Sequence, residues 1–301
     1  MSEIILFPGQ GAQYSGMAKD LYENDEAARK VLDEIFDELD FDLKSIMFNE
    51  DDRLNQTEFT QPALFAHSLA VAGSAKLTGS HVLGHSLGEL PALVHAGVLS
   101  LRDGARIVQK RGELMSNSKG GKMAAVIGME YSDLLELCRA VSDDSAKVAP
   151  ANINAPDQVV VSGDAEAVDA FSEQAKEKGA RRVMPLNVSG AFHSHLMKEA
   201  QEEFKVFVEE IEFRDADIPV IQNVSAKPET DGAVIKRQLV EQITSPVRFV
   251  ECIESAAAAG VTSGIEAGPK KVLSGLVRKI DKSIKVKNLD TLEQVKEHSN
   301  D

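Results

Sequence analysis

The stretch VLGHSLGELPAL (82–93) sets a short apolar run against a glycine-flanked serine and then a helical pattern. Gly84-His85-Ser86-Leu87-Gly88 fits G-x-S-x-G, the sharp strand-to-helix turn that lifts a serine hydroxyl above a sheet edge. The glycines have a steric task there, because side chains would collide with the crowded strand and helix. Ser86 would stand at a helix N-terminus, where free N–H groups and the helix dipole favour developing negative charge. Alone, the pentapeptide is a weak signal that reads equally as a plain N-cap. Its flanks, strand-like before and helical after, favour the turn.

Outward from this stretch, strand-like runs alternate with helical ones. IILF (4–7), HVL (81–83), VIQNV (220–224) and VTSGIEA (261–267) read as strands; DEAARKVLDEIFDEL (25–39) and DGARIVQKRGELM (103–115) read as amphipathic helices. Such alternation predicts a mostly parallel sheet covered on both faces. One segment differs. MAAVIGM (123–129), YSDLLELCRAV (131–141), a strand near 147–153, QVVVSG (158–163), a helix over 164–179 and RRVMPL (181–186) follow the order β-α-β-β-α-β of a split ferredoxin-like unit. The expected organisation is an α/β domain made of 1–121 and 188–301, interrupted by a ferredoxin-like insert at 122–187.

The chain of 301 residues is 43% hydrophobic and 27% charged, the composition of a soluble globular protein. Its net charge of −15 argues against nucleic acid or an anionic membrane as a partner. Cys138 and Cys252 are far apart and in no metal or redox spacing. MSEIILFPGQ has no basic stretch ahead of its apolar run, so neither a signal peptide nor a membrane span is expected, and the protein is expected in the cytoplasm. Nothing suggests an obligate assembly. Charge is uneven, however: Lys270, Lys271, Arg278, Lys279, Lys282, Lys285 and Lys287 stand against Asp281 alone between 270 and 287. A solvated helix face is the common reading of such a run.

A nucleophilic serine needs a base. Among the seven histidines, His85 adjoins Ser86 but would point away from it, and His67 and His95 sit in helical patterns. The glycine-containing loop NVSGAFHSHLM (187–197) offers His193 and His195. The residues do not decide between them, and no acid stands out to orient either, so a backbone carbonyl is the alternative.

Taken in order, FPGQGAQ (7–13), TQPAL (60–64), GHSLGE (84–89), KRGELM (110–115), NINAPDQVVVSG (152–163), VSGAFHS (188–194), SPVRF (245–249) and EAGPKKVLSGL (266–276) resemble the malonyl-CoA:acyl-carrier-protein transacylases of bacterial fatty-acid synthesis. Acyltransferase domains of polyketide synthases are similar. The resemblance spans nearly the whole chain and implies an α/β-hydrolase-like fold with a ferredoxin-like insert. It implies Ser86 as nucleophile, His193 as base, and backbone N–H groups of Gln10 and Leu87 for the oxyanion. It also implies Arg111, with Gln10, at the substrate, the guanidinium gripping the malonyl carboxylate, and the backbone carbonyl of Arg248 as the group orienting the base. Malonyl-CoA and an acidic acyl carrier protein are the implied partners; neither a cofactor nor a metal is. The basic run 270–287 is then a candidate docking site for the carrier.

Four positions depart from the family pattern: Pro91 replaces a serine, Ala191 a proline, Lys270 a glycine, and Arg248 the glutamine of some members. Without the family pattern, Arg111 reads as an exposed helix charge. The competing functions are a trans-acting acyltransferase of a polyketide pathway, a serine hydrolase or neutral-acyl transferase of related fold, and a nucleotide-binding module built on FPGQGAQ. A buried Arg111 would oppose an apolar acyl pocket, and FPGQGAQ lacks the spacing and lysine of a phosphate-binding loop.

Overall fold

The computed structural model describes residues 2–118 and 120–300. Its strands are β1 (Ser2–Phe7), β2 (His81–Gly84), β3 (Lys122–Ile127), β4 (Val148–Ala155), β5 (Gln158–Gly163), β6 (Arg182–Pro185), β7 (Val220–Ile221), β8 (Pro228–Glu229), β9 (Val261–Ala267) and β10 (Lys285–Leu289). Six form the central sheet in the order β10-β9-β1-β2-β7-β8, parallel except for β8. The unbroken apolar run of β1 follows from burial on both faces. Ile5 and Phe7 enter the core under helices Glu26–Glu38, Thr57–Ser74 and Leu101–Asn117, while Ile4 and Leu6 enter the core under Phe249–Ala258 and Val272–Ile280.

A second sheet, all antiparallel, runs β4-β5-β3-β6. Helices Tyr131–Val141 and Ala165–Glu177 cover one face through Leu134, Leu137, Val168 and Phe171. From the other face Met123, Ala125 and Val160 join the central core. The chain leaves the central sheet after Leu101–Asn117, builds this unit between Lys122 and Pro185, and returns to add β7 to β10. Paired backbone bonds bind the two parts, Val247 N–H to Ala151 O at 2.8 Å and Ile153 N–H to Val247 O at 2.9 Å.

Two elements differ from expectation. VIQNV is strand only at Val220–Ile221, because Gln222 turns to pair with Lys227 and Asn223 enters the site. The basic run is not one helix face: it divides into helix Val272–Ile280 and the edge strand β10, where Lys285 and Lys287 are exposed. Lysines on an exposed edge discourage pairing with another chain.

Candidate active site

β2 ends at Gly84, and the chain turns at once into a single 3-10 turn, Ser86–Gly88, then helix Glu89–His95. A Cβ on Gly84 would stand 1.8 Å from the Gly88 carbonyl carbon, and one on Gly88 would stand 2.1 Å from Phe7 O. The two glycines are therefore required by backbone contact. Ser86 itself holds φ +53°, a strained value for a side-chain-bearing residue, and its N–H is held by Asn223 Oδ1 at 2.8 Å. Because the tight turn precedes Glu89, Pro91 falls in the first turn of the α-helix, where a missing N–H matters least.

The loop after β6 carries His193, also in the left-handed region at φ +56°. Its Nε2 lies 2.8 Å from Ser86 Oγ. Its Nδ1 faces two backbone carbonyls, Gln242 O at 2.8 Å and Ser245 O at 3.1 Å. Two acceptors at Nδ1 place the proton there and leave the Nε2 lone pair for the serine hydroxyl. Burial first, then the nearby Arg111 charge, push the imidazole down to about 3, so it is neutral at ordinary pH.

The carbonyl expected from Arg248 does not do this. Arg248 is the N-cap of helix Phe249–Ala258, and its carbonyl accepts from Cys252 N–H at 2.9 Å. Its side chain pairs with Glu251 and donates to Val224 O. The residues that reach His193 lie three and six positions earlier, at Ser245 and Gln242.

His195 points elsewhere, 3.0 Å from Asp164 and exposed, and His85 Nε2 lies 2.7 Å from Asn154 Oδ1. Ala191 is fully buried, and its carbonyl takes the Ser194 hydroxyl at 2.6 Å, which ties the loop without a proline. Lys270 holds φ +63°, a glycine-like conformation, and its Nζ donates to Gln13 O at 3.0 Å.

Arg111 is not an exposed helix charge. It is 1% exposed, and its guanidinium donates from Nη1 to Gln61 Oε1 at 2.6 Å and from Nη2 to Gln242 Oε1 at 2.9 Å and Ser86 Oγ at 3.1 Å. Nε is buried without an acceptor. Burial lowers the guanidinium to about 10, opposed by the charge of Glu89. Gln10 lies in the loop after β1, where a Cβ on Gly9 would meet His85 O at 2.6 Å; the loop is thus pressed against the serine turn. Gln10 Nε2 donates to Thr57 Oγ1 at 3.1 Å. Leu87 is the second residue of the 3-10 turn, whose early N–H groups have no partner within it.

Gln10, Ser86, Leu87, Arg111 and His193 line one cavity of about 410 Å³; Arg248 does not. Phe192, Met115, Met123 and Leu186 supply apolar wall. The arrangement can form an ester on serine beside a buried cation. Sequence reasoning missed Gln61, Glu89, Asn223 and Gln242. Gln61 carried only a weak signal, one polar residue among several in helix Thr57–Ser74, beside Thr57, Glu58, Thr60, His67 and Ser68. The amides at 223 and 242 carried none.

Comparison with known proteins shows the family. The model of the acyl transferase domain family matches residues 4–298. A malonyl CoA-acyl carrier protein transacylase from Staphylococcus aureus is 48% identical over 297 residues, 97% of this chain and 96% of that one. A crystal structure of an acyl carrier protein S-malonyltransferase from Vibrio cholerae superposes with a TM-score of 0.95 at 38% identity, covering 99% of both chains. A type II PKS acyl-carrier protein in complex with its malonyl-transacylase matches with a TM-score of 0.95 at 34% identity, over 100% of this chain and 99% of that one. By sequence and by fold, the chain belongs to the acyl transferase family, in the group of malonyl CoA-acyl carrier protein transacylases.

Proposed function

We propose that the protein moves a malonyl group from malonyl-CoA to the phosphopantetheine thiol of an acyl carrier protein, through a malonyl ester on Ser86. The observation that carries this reading is a buried guanidinium in contact with the nucleophile, one of its N–H groups lacking an acceptor, in the same cavity as the base. A carboxylate is the group such a site is built to receive.

In the first half-reaction Ser86 Oγ attacks the thioester carbonyl while its proton passes to His193 Nε2. The oxyanion sits against the N–H groups of Gln10 and Leu87. Collapse breaks the C–S bond, and the departing CoA sulfur takes the proton from His193. The second half-reaction repeats these steps in reverse with the carrier thiol. Gln242 O and Ser245 O hold the imidazole throughout. Incubation with malonyl-CoA alone, read by intact mass and peptide mapping, tests the reading. The expected result is one malonyl adduct on Ser86, absent in Ser86→Ala; an adduct elsewhere, or none on folded protein, overturns it.

The same reading places the enzyme in the cytoplasm, acting as a monomer in fatty-acid synthesis. The carrier is proposed to dock on the positive face around Lys271 and Arg278. An acidic carrier and a chain of net charge −15 repel at long range, so productive encounter needs a local patch of opposite sign.

A further inference from the structure

Beneath Ser86 lies a carboxylate that the transfer chemistry leaves unused. Glu89 is fully buried at the start of helix Glu89–His95. Its Oε2 accepts from Asn223 N–H at 3.0 Å and from Gln242 Nε2 at 3.1 Å, whereas Oε1 has no partner. These two donors connect Glu89 to the whole site. Gln242 Nε2 also donates to Ser86 O at 3.1 Å, which turns its Oε1 toward Arg111 Nη2 at 2.9 Å. The Asn223 side chain grips both sides of the serine turn, Oδ1 on Ser86 N–H and Nδ2 on Gly84 O at 2.7 Å. A buried cation and a buried anion are thus separated by one amide. The pair neutralises itself while the site is empty. A substrate carboxylate adds a second anion for one guanidinium in a desolvated cavity, and two carboxylates sharing such a site do not both stay ionised.

We propose that Glu89 is a positioning residue and charge buffer: it serves as Arg111's counter-ion in the free enzyme and takes a proton from solvent when the malonyl carboxylate docks. This rests on the reading of Arg111 as the carboxylate's partner. The proton goes to Oε1, the oxygen without a donor, so both hydrogen bonds to Oε2 persist and the Gln242 amide keeps its orientation. Electrostatics agree. Burial raises the Glu89 carboxyl to about 7, with Asn223, Gln242 and the Arg111 charge pulling it down. Offsetting Arg111 removes one of those pulls and drives the carboxyl further up. Among the described residues Cys252, from helix Phe249–Ala258, also feels the Glu89 charge, and burial keeps its thiol neutral. His193 also feels Arg111, but from about 3 it stays neutral near pH 8.

The test uses Ser86→Ala, which binds acyl-CoA without being acylated. Titration calorimetry near pH 8, in two buffers of different ionisation enthalpy, counts the protons taken up. The expected result is uptake approaching one proton per malonyl-CoA beyond that of acetyl-CoA, which carries the same CoA phosphates. Adding Glu89→Gln should abolish the difference. Malonyl-CoA that binds without excess uptake, or uptake that survives Glu89→Gln, overturns the proposal. Should the double variant not fold, Ser86→Ala alone suffices. Its Kd for malonyl-CoA should rise with pH above 7, approaching about tenfold per pH unit, while that for acetyl-CoA stays flat; parallel pH profiles overturn the proposal. Failure of the underlying reading looks different: Ser86→Ala with Arg111→Ala would then still prefer malonyl-CoA over acetyl-CoA.

Discussion

Arg111 acts on both members of the Ser86–His193 pair. Its Nη2 donates to the serine oxygen, which stabilises charge developing there, while its positive charge lowers the proton affinity of the imidazole. On the proposed reading, a malonyl carboxylate against the guanidinium would offset that field and leave His193 the stronger base, so the acyl group that fits would also improve the catalyst. An acetyl group brings no such charge. Arg111→Ala is expected to lose roughly 3–5 kcal/mol of malonyl transfer, the scale for breaking a buried charge pair. The preference over acetyl-CoA should fall with it, as kcat/KM for the two thioesters will show; full retained preference would assign recognition to another residue. His193→Ala should slow acylation roughly 10²–10⁴-fold, the usual contribution of a general base. His195→Ala should change it little, because that ring is exposed and paired with Asp164. Single-turnover acylation measures both, and the opposite ranking would move the base to His195.

The serine turn and the basic helix each make a prediction at the scale of the element. Gly84 and Gly88 face backbone on both sides of the turn, and backbone cannot move aside as a side-chain tip can. Gly88→Ala is therefore expected to destabilise by at least the roughly 1–3 kcal/mol of an overpacked core. Gly275 makes the contrast. It lies in helix Val272–Ile280, and a Cβ added there would have nothing within 4 Å, so Gly275→Ala should stabilise by roughly 0.5–1 kcal/mol. Thermal melts of the two variants should move in opposite directions. On the same helix Lys279 is already committed to Asp157 at 3.1 Å, whereas Lys271, the N-cap, and Arg278, two turns on, are exposed on the proposed docking face. Reversing the charge of Lys271 and Arg278 together should raise KM for the carrier protein and leave acylation by malonyl-CoA nearly unchanged. The effect should shrink with added salt, since screening acts over about 8 Å at physiological ionic strength. Equal loss in both half-reactions would assign the face to CoA or to stability; no loss in either would leave it a solvated surface.

At the scale of the whole molecule, the site collects the C-terminal ends of parallel strands: Gln10 follows β1, Ser86 follows β2, and Asn223 follows β7. Arg111 and His193 enter from the helix before the antiparallel sheet and the loop after it. Burying these groups links stability to pH. The fold holds His193 neutral down to about 3, whereas the unfolded ring protonates near 6.5, so its contribution is complete above 6.5 and is lost as pH falls toward 3. Glu89 has the opposite sign: raised to about 7 from 4.5, it favours the fold at low pH and weakens it as pH rises through 7. His193→Gln should flatten the acid side of a plot of Tm against pH, and an unchanged acid slope would place the linkage elsewhere. Some of this was legible in the chain. The turn at 82–93 was, because Gly84 is pressed against the backbone of Gly88 and Glu89 within the turn itself, and so were β1, β9, β3, β4 and β5 with the helices beside them, whose apolar residues are buried. The edge strand β10 was hidden by lysines at alternate positions. Ser86 could be named from its motif, but Arg111 and the choice of His193 over His195 came only with resemblance to a family. Local sequence determined which residues could react and where the chain had to turn. Tertiary packing alone decided that Gln242 O and Ser245 O, not Arg248 O, face the base, and that Glu89, Asn223 and Gln242 meet beneath the serine. Every residue has a carbonyl, and a neutral amide leaves no periodic trace; which of them is aimed at the site depends on contacts between segments far apart in the chain.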